Sequence, residues 1–188
     1  MQRYFAVIIF LVITASCTMP ETKIYSLSLQ IDTKTGNMKA DKALDITIQA
    51  PRYLSQPYIA RRVSAYQLKL SRYAKWDSAP ADMVKEAVRD SLFSVFKETR
   101  GSGASANVYS LLVNLKRFEQ VDSGADSFGE LTMDFSLLSE EGKEVYHGSI
   151  SKSVKLDEHS EIGLAKGLST ALTEAMKELK AGISALAI

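Results

Sequence analysis

The sequence predicts a two-layer α+β domain: a mainly antiparallel sheet with two helices packed on one face. Three observations predict it. Apolar residues alternate with polar ones along several stretches, which marks strands covered on one face only. Two other stretches carry apolar residues at helical spacing. The order is strands, helix, three long strands, helix, and two amphipathic helices suffice to cover one face of such a sheet.

The elements follow in order. Tyr25, Leu27, Leu29 and Ile31 alternate with Ser26, Ser28, Gln30 and Asp32, which reads as a half-buried strand. Thr35-Gly36-Asn37 supplies a turn. Leu44, Ile46 and Ile48 alternate again, and Pro51 ends that strand. Residues 58–76 are strand-like but short and irregular. Asp77-Ser78-Ala79-Pro80 reads as a helix start, a capping side chain followed by proline in the first turn. Met83, Val84, Ala87, Val88, Leu92, Val95 and Phe96 then fall at helical spacing, and Gly101 and Gly103 close the helix. Three strands follow: Tyr109, Leu111, Val113 and Leu115; then Leu131, Met133, Phe135 and Leu137; then Tyr146, Ile150, Val154 and Leu156. Ser123-Gly124 and Glu141-Gly142 separate them, which suggests an antiparallel meander. A last helix starts near Ser160, with Ile162, Ala165, Leu168, Leu172, Met176 and Leu179 turned inward. The opposite sheet face carries Ser110, Asn114, Lys116, Thr132, Asp134 and Ser136, and is polar.

The amino terminus carries a second message. Met1-Gln2-Arg3 precedes an apolar run from Tyr4 to Ile13, and Thr14-Ala15-Ser16-Cys17 follows. A basic start, a short apolar run and small residues before a cut define a secretory signal. The ten-residue run is well short of the roughly 20 residues a spanning helix needs. Ala15-Ser16-Cys17 resembles the lipobox of bacterial lipoproteins, with Thr14 standing where a branched apolar residue is usual. Cys17 is the only cysteine, so no internal disulfide forms, and lipidation explains a lone thiol outside the cytoplasm. The expected division is a signal peptide over residues 1–16, a lipidated tether over 17–23 and a single domain over 24–188. Acyl chains such as palmitate then supply the anchor, each buried methylene contributing about 0.8 kcal/mol. Thr18 is not the aspartate that holds lipoproteins at the inner membrane in enteric-type bacteria, so the expected site is the outer membrane, facing the periplasm.

Composition narrows the function. From Cys17 onward the chain carries 22 basic and 22 acidic side chains. Such balance argues against nucleic-acid binding, which needs a basic face to neutralise phosphates. Catalytic constellations are thin. There are two histidines, His147 on a strand and His159 within Asp157-Glu158-His159-Ser160 at a helix start. No G-x-S-x-G elbow accompanies them. Acids ahead of a helix serve its dipole more often than a metal. Gly101-Ser102-Gly103 and the glycines at 163 and 167 lack the context of a phosphate loop. The expectation is a non-catalytic protein without a metal or cofactor.

Residues 51–76 are the informative stretch. Tyr53, Tyr58, Tyr66, Tyr73 and the only tryptophan, Trp76, lie here with Arg52, Arg61, Arg62 and Arg72. Aromatic and arginine side chains concentrate at the centres of protein contacts. Tyr58, Arg61, Arg62, Tyr66 and Trp76 are therefore the candidate partner-binding residues, with Trp76 weighted toward the core because a helix directly follows it. The pattern Pro51-x-Tyr53-Leu54-x-x-Pro57-x-Ile59-x-Arg61, then Tyr66-x-Leu68, then Tyr73-Ala74-x-Trp76 and a helix resembles the ABC-type transport auxiliary lipoproteins. Tyr25-x-Leu27 after the cysteine is similar as well.

That resemblance implies a lipoprotein working with an ABC transporter and a mammalian-cell-entry (MCE) domain protein that move lipids or other hydrophobic compounds across a diderm envelope, with ATP hydrolysis elsewhere. It leaves homo-oligomerisation open. The rival class is an assembly factor or chaperone for an outer-membrane protein, which gene neighbours would separate from a transport component.

Overall fold

The computed structural model describes residues 20–31, 40–100 and 108–186. Its elements are β1 (Lys23–Tyr25), β2 (Ala40–Gln49), a 3-10 turn (Arg52–Ser55), β3 (Tyr58–Ser64), β4 (Gln67–Trp76), α1 (Pro80–Leu92), β5 (Phe96–Arg100), β6 (Val108–Ser123), β7 (Asp126–Leu138), β8 (Glu144–Lys155) and α2 (Glu161–Ser184). All the strands join one eight-stranded sheet. The signal peptide, Cys17, the turn at Thr35-Gly36-Asn37 and the glycines at 101 and 103 lie outside the described residues.

β6 organises the sheet. Along one edge it pairs antiparallel with β7, which pairs antiparallel with β8, the expected meander. Gly124 and Gly142 make its two turns at φ of 62° and 77°, a backbone region that glycine enters without steric cost. The other edge of β6 is shared. β2 pairs with it in parallel over Ala43 to Gln49, and β3 in parallel at Arg61 and Arg62, opposite Gln120 and Val121. A register shift between Leu115 and Arg117 changes the phase of β6. Leu111, Val113 and Leu115 are buried, and past the bulge it is Phe118 that is buried and Arg117 that is exposed. β1–β4 and β2–β5 are parallel too, so the sheet is mixed, though its longest ladders are antiparallel.

Both helices close over one core. α1 packs on β2 and α2, while α2 packs on β7 and β8. Leu164, Leu168, Leu172, Met176 and Leu179 of α2 meet Leu131, Met133, Leu137 and Ile150 of the sheet in a single apolar cluster with Val84, Val88 and Leu92 of α1. Burying a side chain of this size contributes about 1.5–3 kcal/mol. On the polar face, Lys116 bonds Asp134, Thr132 Oγ1 lies 3.2 Å from Ser151 Oγ, and Ser136 donates to Glu144.

Five local expectations need correction. Residues 25–31 alternate in burial as expected, yet only Lys23–Tyr25 is strand. Beyond Tyr25 the chain lies along α2, and the Ser28 amide donates to Ser169 Oγ at 3.0 Å. Residues 58–76 form a well-defined hairpin, β3 and β4, with a two-residue turn at Ala65-Tyr66. α1 is capped by Ala79 without a side-chain bond, Pro80 taking its first turn. That helix ends at Leu92, and Phe96 is buried as the first residue of β5. Ile162 is 53% exposed, because the first turn of α2 presents it to the surface. The Ser160 cap of α2 is as expected, its side chain accepting from the Gly163 amide at 3.0 Å.

Candidate partner-docking surface

The Tyr- and Arg-rich stretch folds as one unit. Pro51 has φ near −57°, which suits it to open the 3-10 turn, and the Leu54 amide closes that turn on the Pro51 carbonyl at 2.9 Å. Leu54 drops into the core. Pro57 then returns the chain to β3, and its carbonyl accepts from the Trp76 amide at 3.0 Å, locking the hairpin base.

Glu119 of β6 sits under this unit, fully buried. Its two oxygens accept from Arg62 Nε at 2.5 Å and Arg62 Nη2 at 3.3 Å, and Tyr53 donates its hydroxyl to Oε2 at 2.9 Å. Burial and the adjacent Glu119 charge push the Tyr53 hydroxyl well above its ordinary pKa. The hydrogen bond to Glu119 strengthens the protonated form of Arg62. A buried carboxylate is tolerated only when paired and bonded in this way.

A second polar cluster lies beside it. Arg61 Nε donates to Asp122 Oδ2 at 2.5 Å, and Asp122 Oδ1 accepts from Gln120 Nε2 and Ser127 Oγ, each at 2.9 Å. Burial pushes the Asp122 carboxyl up, but the bonds from Arg61, Gln120 and Ser127 outweigh that and hold it below the usual range. Ser127 Oγ also lies 3.0 Å from His159 Nδ1. Ser127 directs its own hydrogen to Asp122, whereas a serine nucleophile hands its hydrogen to the histidine. His147 pairs with Glu144 at 2.9 Å on the surface. Among the described residues no group of three or more His, Cys, Asp or Glu side chains is placed to hold a metal, and no helix is long and apolar enough to cross a membrane.

The five candidate residues divide by environment. Trp76 is 2% exposed and meets Phe118 edge-on, centroids 5.9 Å apart, so it belongs to the core. Its Nε1 reaches no acceptor among the described residues. Arg62 is half-buried on Glu119. Arg61 keeps an exposed flank. Tyr58 is half-buried and lines an open cleft of about 510 Å³ with Arg52, Tyr53, Gln56 and Leu70. Tyr66 is wholly exposed at the hairpin tip. Sequence reading did not single out Glu119, whose only signal is a carboxylate in a strand otherwise rich in apolar residues.

Residues 25–180 match the family model described as the ABC-type transport auxiliary lipoprotein component. The chain belongs to this family. Of the residues that carry the resemblance, Leu54, Ile59 and Trp76 are buried in the core, whereas Tyr66 and Tyr73 are exposed. Among solved structures, a protein from Xanthomonas campestris is similar at 19% identity, with 86% of this chain and 96% of that one covered and a TM-score of 0.73. An uncharacterized protein is similar at 14% identity, covering 87% and 100%, with a TM-score of 0.67. A hypothetical protein from Chlamydia trachomatis is similar at 8% identity, covering 77% and 96%, with a TM-score of 0.51. These likenesses bear on the fold alone. No curated protein matches the chain.

Proposed function

We propose that the chain is the non-catalytic, membrane-anchored component of an ABC transporter, lipidated at Cys17, that docks an MCE-domain channel protein and serves the movement of lipids across the envelope. It stands on the outer membrane, facing the periplasm. The observation that carries the docking role is the hairpin itself. A rigid base, fixed by buried Glu119, holds Tyr66 fully exposed, with Tyr58 and the free flank of Arg61 behind it. Rigid aromatics and forked guanidinium groups bury contact area at low entropic cost. Membership of the transport auxiliary family supports the transport setting.

The test is co-purification of the full-length protein from membranes with mass spectrometry. Permease, ATPase and MCE components in stoichiometric yield are expected. Recovery of an outer-membrane barrel protein alone would overturn the transport role. Fractionation is expected to place the protein in the outer membrane, and Cys17→Ala is expected to release it or stall its processing. Unchanged mass and pelleting of that variant would contradict lipidation.

A further inference from the structure

We propose that the outer edge of the sheet, where β1 and β4 pair, seats directly on the anionic phosphates of the bilayer that holds the lipid anchor. This rests on the lipidation reading above and adds a second, electrostatic contact to it.

The first observation is charge. Residues 51–76 contain six cations, Arg52, Arg61, Arg62, Lys69, Arg72 and Lys75, and no carboxylate. The rest of the chain after residue 16 therefore carries six more acids than bases. Arg61 and Arg62 are committed to Asp122 and Glu119. Arg52, Lys69, Arg72 and Lys75 have no carboxylate partner among the described residues, although acidic side chains are abundant elsewhere. The cations are thus concentrated on the hairpin, with Glu21 before β1 and Asp77 after β4 as the acids that flank the edge in sequence.

The second observation is what accompanies those cations. Ile24 is 60% exposed and Tyr73 is 48% exposed. The ladder sets Ile24 opposite Lys75, and Tyr73 stands two residues from Lys75 on β4, so these three share one face of the β1–β4 edge. Tyrosine, an aliphatic residue and lysine side by side suit a bilayer interface: the apolar bodies enter the acyl boundary while the charged and hydroxyl ends stay with the headgroups.

The third observation is reach. β1 is the first element after the tether, and Lys23 stands six residues beyond Cys17. Fully extended, six residues span at most about 20 Å. An acylated Cys17 therefore keeps the β1–β4 edge next to the lipid surface. At this range the attraction survives physiological salt only on near contact, since the screening length is about 8 Å. An acidic protein would satisfy the same cations, but neither the tether nor exposed Ile24 calls for one.

The test uses full-length acylated protein reconstituted in vesicles, with acylation confirmed by mass and anchoring by flotation. A failure at that stage bears on lipidation, not on this face. Tyr73→Cys is labelled with an environment-sensitive fluorophore. The control is Glu141→Cys, in the β7–β8 turn at the far end of the long strands. In vesicles of phosphatidylethanolamine with phosphatidylglycerol, the label at 73 should shift to the blue and resist iodide, and the control should not. Arg72→Gln with Lys75→Gln should lower the seated-to-free ratio about 25-fold, at about fivefold per cation near an anionic surface, with an unchanged melt. Equal iodide access at 73 in anionic and neutral vesicles would overturn the proposal. So would a label protected only once a partner protein is added, which would assign the cations to a protein contact.

Discussion

Glu119 is fully buried, and its side-chain partners, Tyr53 and Arg62, come from the turn before the hairpin and from the hairpin itself. Removing one partner of a buried ion pair typically costs about 3–5 kcal/mol, because the remaining charge is stranded. Arg62→Ala should therefore lower the urea stability by about that amount. Tyr53→Phe removes one hydrogen bond to a charged group and should cost about 1.5–3 kcal/mol. The double variant Arg62→Met with Glu119→Leu should recover most of the first loss, since no charge is then left unpaired. A double variant no more stable than Arg62→Ala would show that packing, not the stranded carboxylate, sets the cost. Asp122 gives a pH-dependent counterpart. Its carboxyl is held below the ordinary value of 3.8. Its contribution is thus fully present above that value and is lost as pH falls through the lower folded value. Asp122→Asn should be less stable than the parent at neutral pH, and the gap should close on acidification below about pH 4. A gap that stays constant from pH 7 to pH 2.5 would remove Asp122 from the acid limb.

Strands β6 to β8 and both helices were legible because each pattern reports one covered face, and that is what the core requires. The pattern does not report which neighbour supplies the hydrogen bonds. Leu27, Leu29 and Ile31 alternate like a strand, yet the hydroxyl of Ser169 on α2 takes the place of a ladder partner. The parallel pairings of β2 and β3 on β6 join residues tens of positions apart, which local periodicity cannot signal. Val95 and Phe96 continue the helical spacing of α1 by coincidence, since Phe96 fills the same core from a strand. The crowding of tyrosine and arginine did mark the hairpin, but not which of them face inward, because that depends on Glu119 and Phe118 from β6. Gly163, in the first turn of α2, shows tertiary packing overriding local preference. Alanine there should gain roughly 1 kcal/mol of helix propensity. Its Cβ would stand 2.3 Å from the backbone oxygen of Glu158, which no rotamer change relieves. Overpacking of this kind costs about 1–3 kcal/mol. Gly163→Ala should therefore lower the melting temperature, and a raised one would mean that the 156–160 loop yields freely.

Over the whole molecule, the hairpin divides its work between its base and its tip, and this can be measured. Trp76 ties β4 to β6 through Phe118, to β1 through the neighbouring Asp77 amide on Tyr25, and to Pro57 through its own amide. Tyr66, ten residues earlier on the same hairpin, has its side chain wholly in solvent. Truncating a buried tryptophan costs about 3–5 kcal/mol of stability. Truncating an interface anchor costs about 2 kcal/mol or more of binding, at least thirtyfold in affinity, with little effect on folding. Trp76→Ala should collapse the melt. Trp76→Phe should cost less, because Nε1 has no acceptor among the described residues to lose. Tyr66→Ala should leave the melt unchanged while weakening capture of the transporter partner at least thirtyfold. If Tyr66→Ala instead captures the partner normally while Arg61→Ala does not, the contact lies on the β3 flank rather than at the tip. If neither variant changes capture and both melt normally, the hairpin is a structural brace, and the docking surface must lie elsewhere on the domain.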